Sequence, residues 1–221
     1  MKLTHYQYFK PIEISSEQCK TLIIENPIYF RRIITDLYSQ KETGYGEFVL
    51  SDSKEKVYEL GKNCLLITDF FNYISLEKQI KTKLNGMITN DFQSSNEIVD
   101  LISKINEIGI DISNNYMYPI KFKETLTFQD VVKMMDFSID YEGMNFWEKF
   151  IEYVKTCFEL FGYRLLITVD LKDLISEEEY KLLIEDLGNR NIPILMIERH
   201  EHNGIDDNSN TILIDNDLCV L

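Results

Sequence analysis

In the string Asp136-Phe-Ser-Ile-Asp-Tyr-Glu142 an oxygen-bearing side chain stands at every second position. An extended backbone would therefore aim Asp136, Ser138, Asp140 and Glu142 to one side. Calcium, a hard cation, takes roughly six to eight oxygen ligands, and such a row suits it. The string is not an EF-hand, because the glycine of the turn and the closing glutamate are missing. Taken alone, it reads more plainly as a strand-like stretch with a solvated polar face. Asp69 and Asp170 each close an apolar run, the position from which P-loop enzymes hold magnesium. No Gly-x-x-x-x-Gly-Lys-Ser/Thr string accompanies them, and Gly44-Tyr-Gly46 is too short and wrongly placed to cradle a phosphate. An aspartate at a strand end ordinarily shapes the loop or caps a helix, and that is the expectation for both. For His200 and His202, in Glu198-Arg-His-Glu-His202 at a strand end, a solvated loop is expected rather than a metal site. No serine or cysteine has a histidine placed to activate it.

Among the basic residues, Lys78 and Lys81 share a helix face opposite Leu76, Ile80 and Leu84, with no acid at a favoured helical spacing except Glu77 on the neighbouring face, which leaves them available to phosphates. Lys133 and Lys149 are intermediate. Lys104 and Lys155 are flanked by Glu97, Asp100 and Glu107 and by Glu152 and Glu159, and read as surface ion pairs. For any single lysine, solvation is the ordinary role.

The elements that must position these residues fall into three stretches. Cys64-Leu-Leu-Ile-Thr-Asp69 and Arg164-Leu-Leu-Ile-Thr-Val-Asp170 repeat one another as continuous apolar runs, the signature of buried parallel strands. Ser176-Glu-Glu-Glu179 is a capping box for a helix over Glu177 to Leu187, and Ser75 is placed to cap one starting at Leu76. Ile192 to Ile197, Thr211 to Ile214 and Leu218 to Leu221 are short apolar strand candidates. Tyr6 to Ile14 and Gly46 to Leu50 read as strands and Pro27 to Tyr38 as a helix. Together these give an α/β head with one mixed sheet, from residues 1–71 and 163–221. Helical spacing of apolar residues through the middle (Leu76, Ile80, Leu84, Ile88; Ile98 to Ile108; Phe146 to Phe161) gives a helical insertion over residues 72–162.

The chain of 221 residues carries thirteen Phe and thirteen Tyr against nine Gly and four Pro, enough apolar matter for a real core. Its four cysteines are far apart and form no CxxC pair, so buried thiols in a reducing cytoplasm are expected. The start lacks the apolar core of a signal peptide, and no eighteen-residue apolar run exists. Net charge is −14, which opposes indiscriminate binding to nucleic acid. The excess acid lies mostly after residue 163, so any DNA surface has to be a local lysine cluster, multiplied by oligomerisation.

Leu65-Leu-Ile-Thr-Asp69, Phe158-Glu-Leu-Phe161 running into Leu165-Leu-Ile-Thr-Val169, Ser176 to Ile184, Ile194-Leu-Met-Ile-Glu-Arg199, Ile205-Asp-Asp and the closing Ile212 to Leu218 occur in an order and spacing that resembles the small adaptation protein of type II-A CRISPR systems along nearly the whole chain. The resemblance implies a head related to P-loop folds without a working nucleotide site, bearing a helical leg. It further implies a non-catalytic homotetrameric ring that holds double-stranded DNA ends, ordered by Ca2+ and partnered by the CRISPR integrase proteins and the RNA-guided nuclease. Family calcium ligands fall on Glu124 and Asp140, to which Asp136 is added here; Lys78, Lys81, Lys133 and Lys149 are the candidate DNA contacts. The competing expectation is a metal-dependent nucleotide- or nucleic-acid-processing enzyme of degenerate P-loop type, built on Asp69 and Asp170.

Overall fold

A computed structural model describes residues 1–6, 9–72, 76–202 and 209–220. The chain divides into two compact units, Met1–Ile74 with Gly143–Leu221, and Ser75–Glu142.

The first unit is α/β, as the apolar runs require. Strands β1 (Lys2–His5), β2 (Phe9–Glu13), β4 (Phe48–Ser51) and β5 (Val57–Tyr58) form an antiparallel sheet in the order β2-β1-β4-β5. A second sheet, in the order β6-β7-β8-β3-β9, is parallel throughout and contains β3 (Lys20–Ile24), β6 (Cys64–Ile67), β7 (Leu165–Val169), β8 (Ile194–Glu198) and β9 (Thr211–Ile214). Every residue of β7 and β8 is buried, because a central parallel strand is covered on both faces. Two sheets thus replace the single mixed sheet expected from the strand pattern. Alternation identifies strands but not their pairing partners.

Helix α1 (Pro27–Thr43) follows β3, α2 (Leu60–Asn63) precedes β6, and α7 (Glu177–Asn189) lies between β7 and β8. Ser176 and Glu179 form the expected capping box. Helix α6 (Phe146–Phe161) starts at a second such box, Asn145 with Glu148, and ends at Gly162, whose φ of 70° is the left-handed cap that glycine adopts without strain. Phe150, Tyr153, Val154 and Cys157 bury one face of α6, and α6 packs on α7. The helix therefore belongs to the α/β unit, which moves the boundary of the insertion from residue 162 to residue 142.

The second unit contains α3 (Glu77–Phe92), α4 (Asn96–Asn114) and α5 (Phe128–Met135). Helix α3 packs on α5, with Ile80, Val131 and Val132 buried. Gly109 admits the ring of Phe122, which a Cβ there would meet at 2.7 Å. The caps expected at Ser75, the acidic Ile205-Asp-Asp and the end at Leu221 lie outside the described residues. Leu218 to Val220 do not form the expected strand: Leu218, Cys219 and Val220 are exposed and only an isolated bridge joins Val220 to Ile214.

All four cysteines are free, with Cys19, Cys64 and Cys157 buried and Cys219 exposed. Burial pushes the Cys19 thiol up to about 11 and the Cys64 and Cys157 thiols up to about 12. An aromatic disulfide reagent should label one thiol rapidly on the native protein and all four in denaturant, the buried three at least ~100-fold more slowly. Replacing Cys219 by serine should remove the fast phase.

Candidate functional site

The segment 136–142 keeps the alternation seen in the sequence. Asp136, Ser138, Asp140 and Glu142 are exposed, and Phe137, Ile139 and Tyr141 between them are half-buried. It is irregular rather than a ladder strand, and Asp136, at φ 57°, is the left-handed cap of α5. The Asp136 carboxylate lies 2.6 Å from the Lys81 ammonium, reaching from α5 to α3. Lys81 is therefore held by an acid 55 positions away in sequence, which helical spacing cannot reveal; the expectation that it stands available to phosphates is corrected. Asp140 Oδ1 accepts the Glu142 N–H at 2.8 Å, and Glu124 is exposed in the bend before α5. The donor chemistry of Glu124, Asp136 and Asp140 fits a hard cation. Their carboxylates do not converge in this conformation, since among the described residues the group whose ligand atoms meet lies elsewhere. Within the same stretch, hydrogen bonds from Lys123 and Thr127 hold the Asp130 carboxyl well below the usual range, so it is committed to capping α5. Lys78 on α3 and Lys133 on α5 are exposed, and Lys149 is half-buried on α6 in the other unit.

A denser polar cluster occupies the carboxyl ends of β7 and β8, where ligands of parallel sheets ordinarily bind. After β7 the chain turns sharply at Asp170, which has φ 55°, into a 3-10 turn over Lys172–Leu174. After β8 it bends at Arg199 and His200. Arg199 Nε donates to Asp170 Oδ1 at 3.0 Å, and its Nη2 lies 3.6 Å from Asp173 Oδ2. His200 Nε2 and His202 Nε2 lie 3.1 and 3.0 Å from one oxygen, Asp173 Oδ1, with the two rings stacked at 4.5 Å. The two histidines lie in a loop, as expected, with His200 exposed, but both imidazoles meet one carboxylate of the neighbouring loop, a grouping the solvated-loop expectation did not include. Burial alone would push the Asp173 carboxyl up, but the His202 hydrogen bond and the charges of His200, His202 and Arg199 outweigh it and hold the group below its ordinary value.

Lys172 is buried, with Nζ donating to Thr21 Oγ1 at 2.8 Å and lying 5.4 Å from the centre of the Tyr180 ring. Glu198, also buried, accepts the Lys172 backbone N–H through Oε1 at 3.3 Å. Its carboxyl is pushed up to about 8, first by desolvation, with Asp170 and Asp173 adding and Lys172 opposing. Lys172, Asp173 and Arg199 were not singled out by sequence; the available signal was their closeness to two strand ends.

The position where a nucleotide-binding fold keeps its phosphate loop is filled differently. Only Glu25 and Asn26 separate β3 from α1, and Asn26 Oδ1 accepts the Ile28 and Tyr29 N–H groups, both at 3.1 Å. Pro27 at the first turn has no N–H to offer. The donors that would meet a phosphate are thus spent on a side-chain cap. Asp69 Oδ1 is likewise used, by the Phe71 and Asn72 N–H groups at 3.0 and 3.2 Å, as expected for a loop-shaping aspartate.

These features define an α/β protein with a parallel five-stranded sheet, a short helical insertion and a first β–α turn closed to phosphate. The chain matches the family described as CRISPR-associated protein (Cas_Csn2) over residues 38–218 and belongs to that family. Among solved structures it is similar to the crystal structure of Stu0660 of Streptococcus thermophilus, with a TM-score of 0.57 and 12% identity, over 96% of this chain and 74% of that one. The likeness is one of fold. No curated protein matches the chain. Among the described residues no helix is long and apolar enough to cross a membrane.

Proposed function

We propose that the chain binds the ends of double-stranded DNA during CRISPR spacer acquisition, without catalysis and without reading sequence, as a cytoplasmic, calcium-stabilised homotetrameric ring serving the integrase proteins and the RNA-guided nuclease. Family membership over residues 38–218 is the observation that carries the reading. The closed β3–α1 turn supports it over the P-loop enzyme alternative.

At a net charge of −14 a single copy repels a polyanion, whereas symmetry can place several copies of Lys78, Lys81, Lys133 and Lys149 around one hole. The Lys81–Asp136 pair links this surface to calcium. An ion taken by Asp136 with Glu124 and Asp140 displaces the ammonium from the carboxylate, so one event neutralises the acids and releases a lysine for phosphate.

Light scattering and fluorescence anisotropy with linear and closed circular duplexes of one sequence test this. Calcium should promote the oligomer and tight, salt-sensitive binding to the linear form; chelator, or Glu124→Ala with Asp140→Ala, should undo both. Lys81→Ala should weaken duplex binding while tightening calcium uptake, because it removes the competing cation. Equal affinity for circles and ends, a monomer that binds tightly, or cleavage of the DNA on adding calcium would overturn the reading.

A further inference from the structure

Asp173, His200 and His202 are the one group of three or more His, Cys, Asp or Glu among the described residues whose ligand atoms all lie within 4.8 Å of one another. They come from two loops. Asp173 lies in the 3-10 turn after β7, and the histidines follow β8, 29 positions from Asp173 to His202. Neither loop alone could form the group; the parallel pairing of β7 with β8 brings the two strand ends side by side.

From this convergence we infer that Asp173 Oδ1, His200 Nε2 and His202 Nε2 form a binding site for a zinc-class divalent ion, distinct from the hard-cation segment of the other unit. The spacing suits the ion: ligands about 2.0–2.1 Å from zinc at tetrahedral angles stand about 3.3 Å apart, close to the 3.0 and 3.1 Å between Asp173 and each imidazole. The donor set selects the class. Two imidazoles and one carboxylate favour zinc, with nickel and copper, over calcium or magnesium, which take oxygen. Three protein ligands leave a fourth position, and Asp173 and His200 are exposed enough to leave it open to water or an incoming group.

The surroundings support the ligands. Arg199 bridges Asp170 Oδ1 and Asp173 Oδ2, which fixes the Asp173 carboxylate with its other oxygen toward the histidines. Two residues before His200, Glu198 keeps Oε2 buried without a hydrogen-bond partner. The bound ion would tie the β7 loop to the β8 loop across the carboxyl edge of the sheet. This inference does not depend on calcium or DNA, and its test uses neither.

Untagged protein carrying Cys219→Ser, which removes the exposed thiol as a rival ligand, is stripped with chelator and titrated with ZnCl2 by calorimetry and with Co2+ by visible absorption. One ion per chain is expected, with Co2+ bands of a four-coordinate nitrogen–oxygen site and a melting temperature raised by roughly 5 °C at saturating zinc. His200→Ala, at an exposed ring, keeps the fold and should weaken zinc by at least about tenfold. Asp173→Asn should do the same, and the double change His200→Ala, His202→Ala should abolish the Co2+ bands. Absence of stoichiometric uptake by the stripped protein, or uptake unchanged in the double variant, would overturn the site.

Discussion

Phe150→Ala is expected to cost the α/β unit about 3–5 kcal/mol and roughly 10 °C or more of thermal stability. Phe150 has no exposed surface, lies 5.8 Å from Phe70 ring to ring and meets Trp147 edge-on at 5.9 Å. The cost combines lost transfer energy with the cavity left behind, because Tyr153, Val154 and Cys157 on the same face are themselves fully packed. Trp147 is the chain's single tryptophan, so urea unfolding followed by its fluorescence reads the unit that α6 stabilises. A loss below about 1 kcal/mol would show that α6 is not part of this core and would return the helix to the insertion.

Much of this architecture was legible before any coordinates. The runs 64–69 and 164–170 became adjacent parallel strands because an unbroken apolar run has to be covered on both faces, and Ser176 with Glu179 fixed the start of α7 through purely local hydrogen bonds. The alternation of 136–142 survived as exposure and burial without any ladder, since period two needs only an extended backbone between an apolar and an aqueous side. What failed was everything set by partners distant in sequence. The periodicity of α6 shows which face is apolar but not which unit receives it. Helical spacing offered Lys81 only Glu77, whereas the acid that holds it comes from the cap of another helix. His200 and His202 read as a solvated loop because the carboxylate both meet, Asp173, comes from the loop after another strand. The candidate metal group is invisible to any local pattern for the same reason: its third member lies beyond a helix and a strand.

Gln40→Ala should destabilise the same unit by about 3 kcal/mol, a large effect for a residue that touches no candidate site. Phe48 stands opposite His5 of β1, and on its other side β5 reaches only Leu50 and Ser51. The Phe48 N–H and C=O are buried there beneath a side chain only 4% exposed. Gln40, on α1, pairs with both groups as a strand peptide would: its Oε1 accepts the Phe48 N–H and its Nε2 donates to the Phe48 C=O, each at 2.8 Å. Truncation removes both of these hydrogen bonds from buried backbone groups, each loss costing about 1–3 kcal/mol. Gln40→Glu separates this from simple loss of packing. It keeps the acceptor for Phe48 N–H but, once ionised, aims a carboxylate at the Phe48 carbonyl oxygen, whereas the protonated acid can still donate. Burial and the facing carbonyl raise the folded-state pKa of the new carboxyl above its unfolded value. The variant should therefore be close to wild type near pH 4 and lose stability as pH rises through that raised value, a slope of up to about 1.4 kcal/mol per pH unit that Gln40→Ala will not show. Urea unfolding of the three proteins at pH 4.5, 6 and 8 decides it: a Gln40→Glu curve parallel to wild type across that range would mean that the amide does not pair with Phe48 as a strand peptide would.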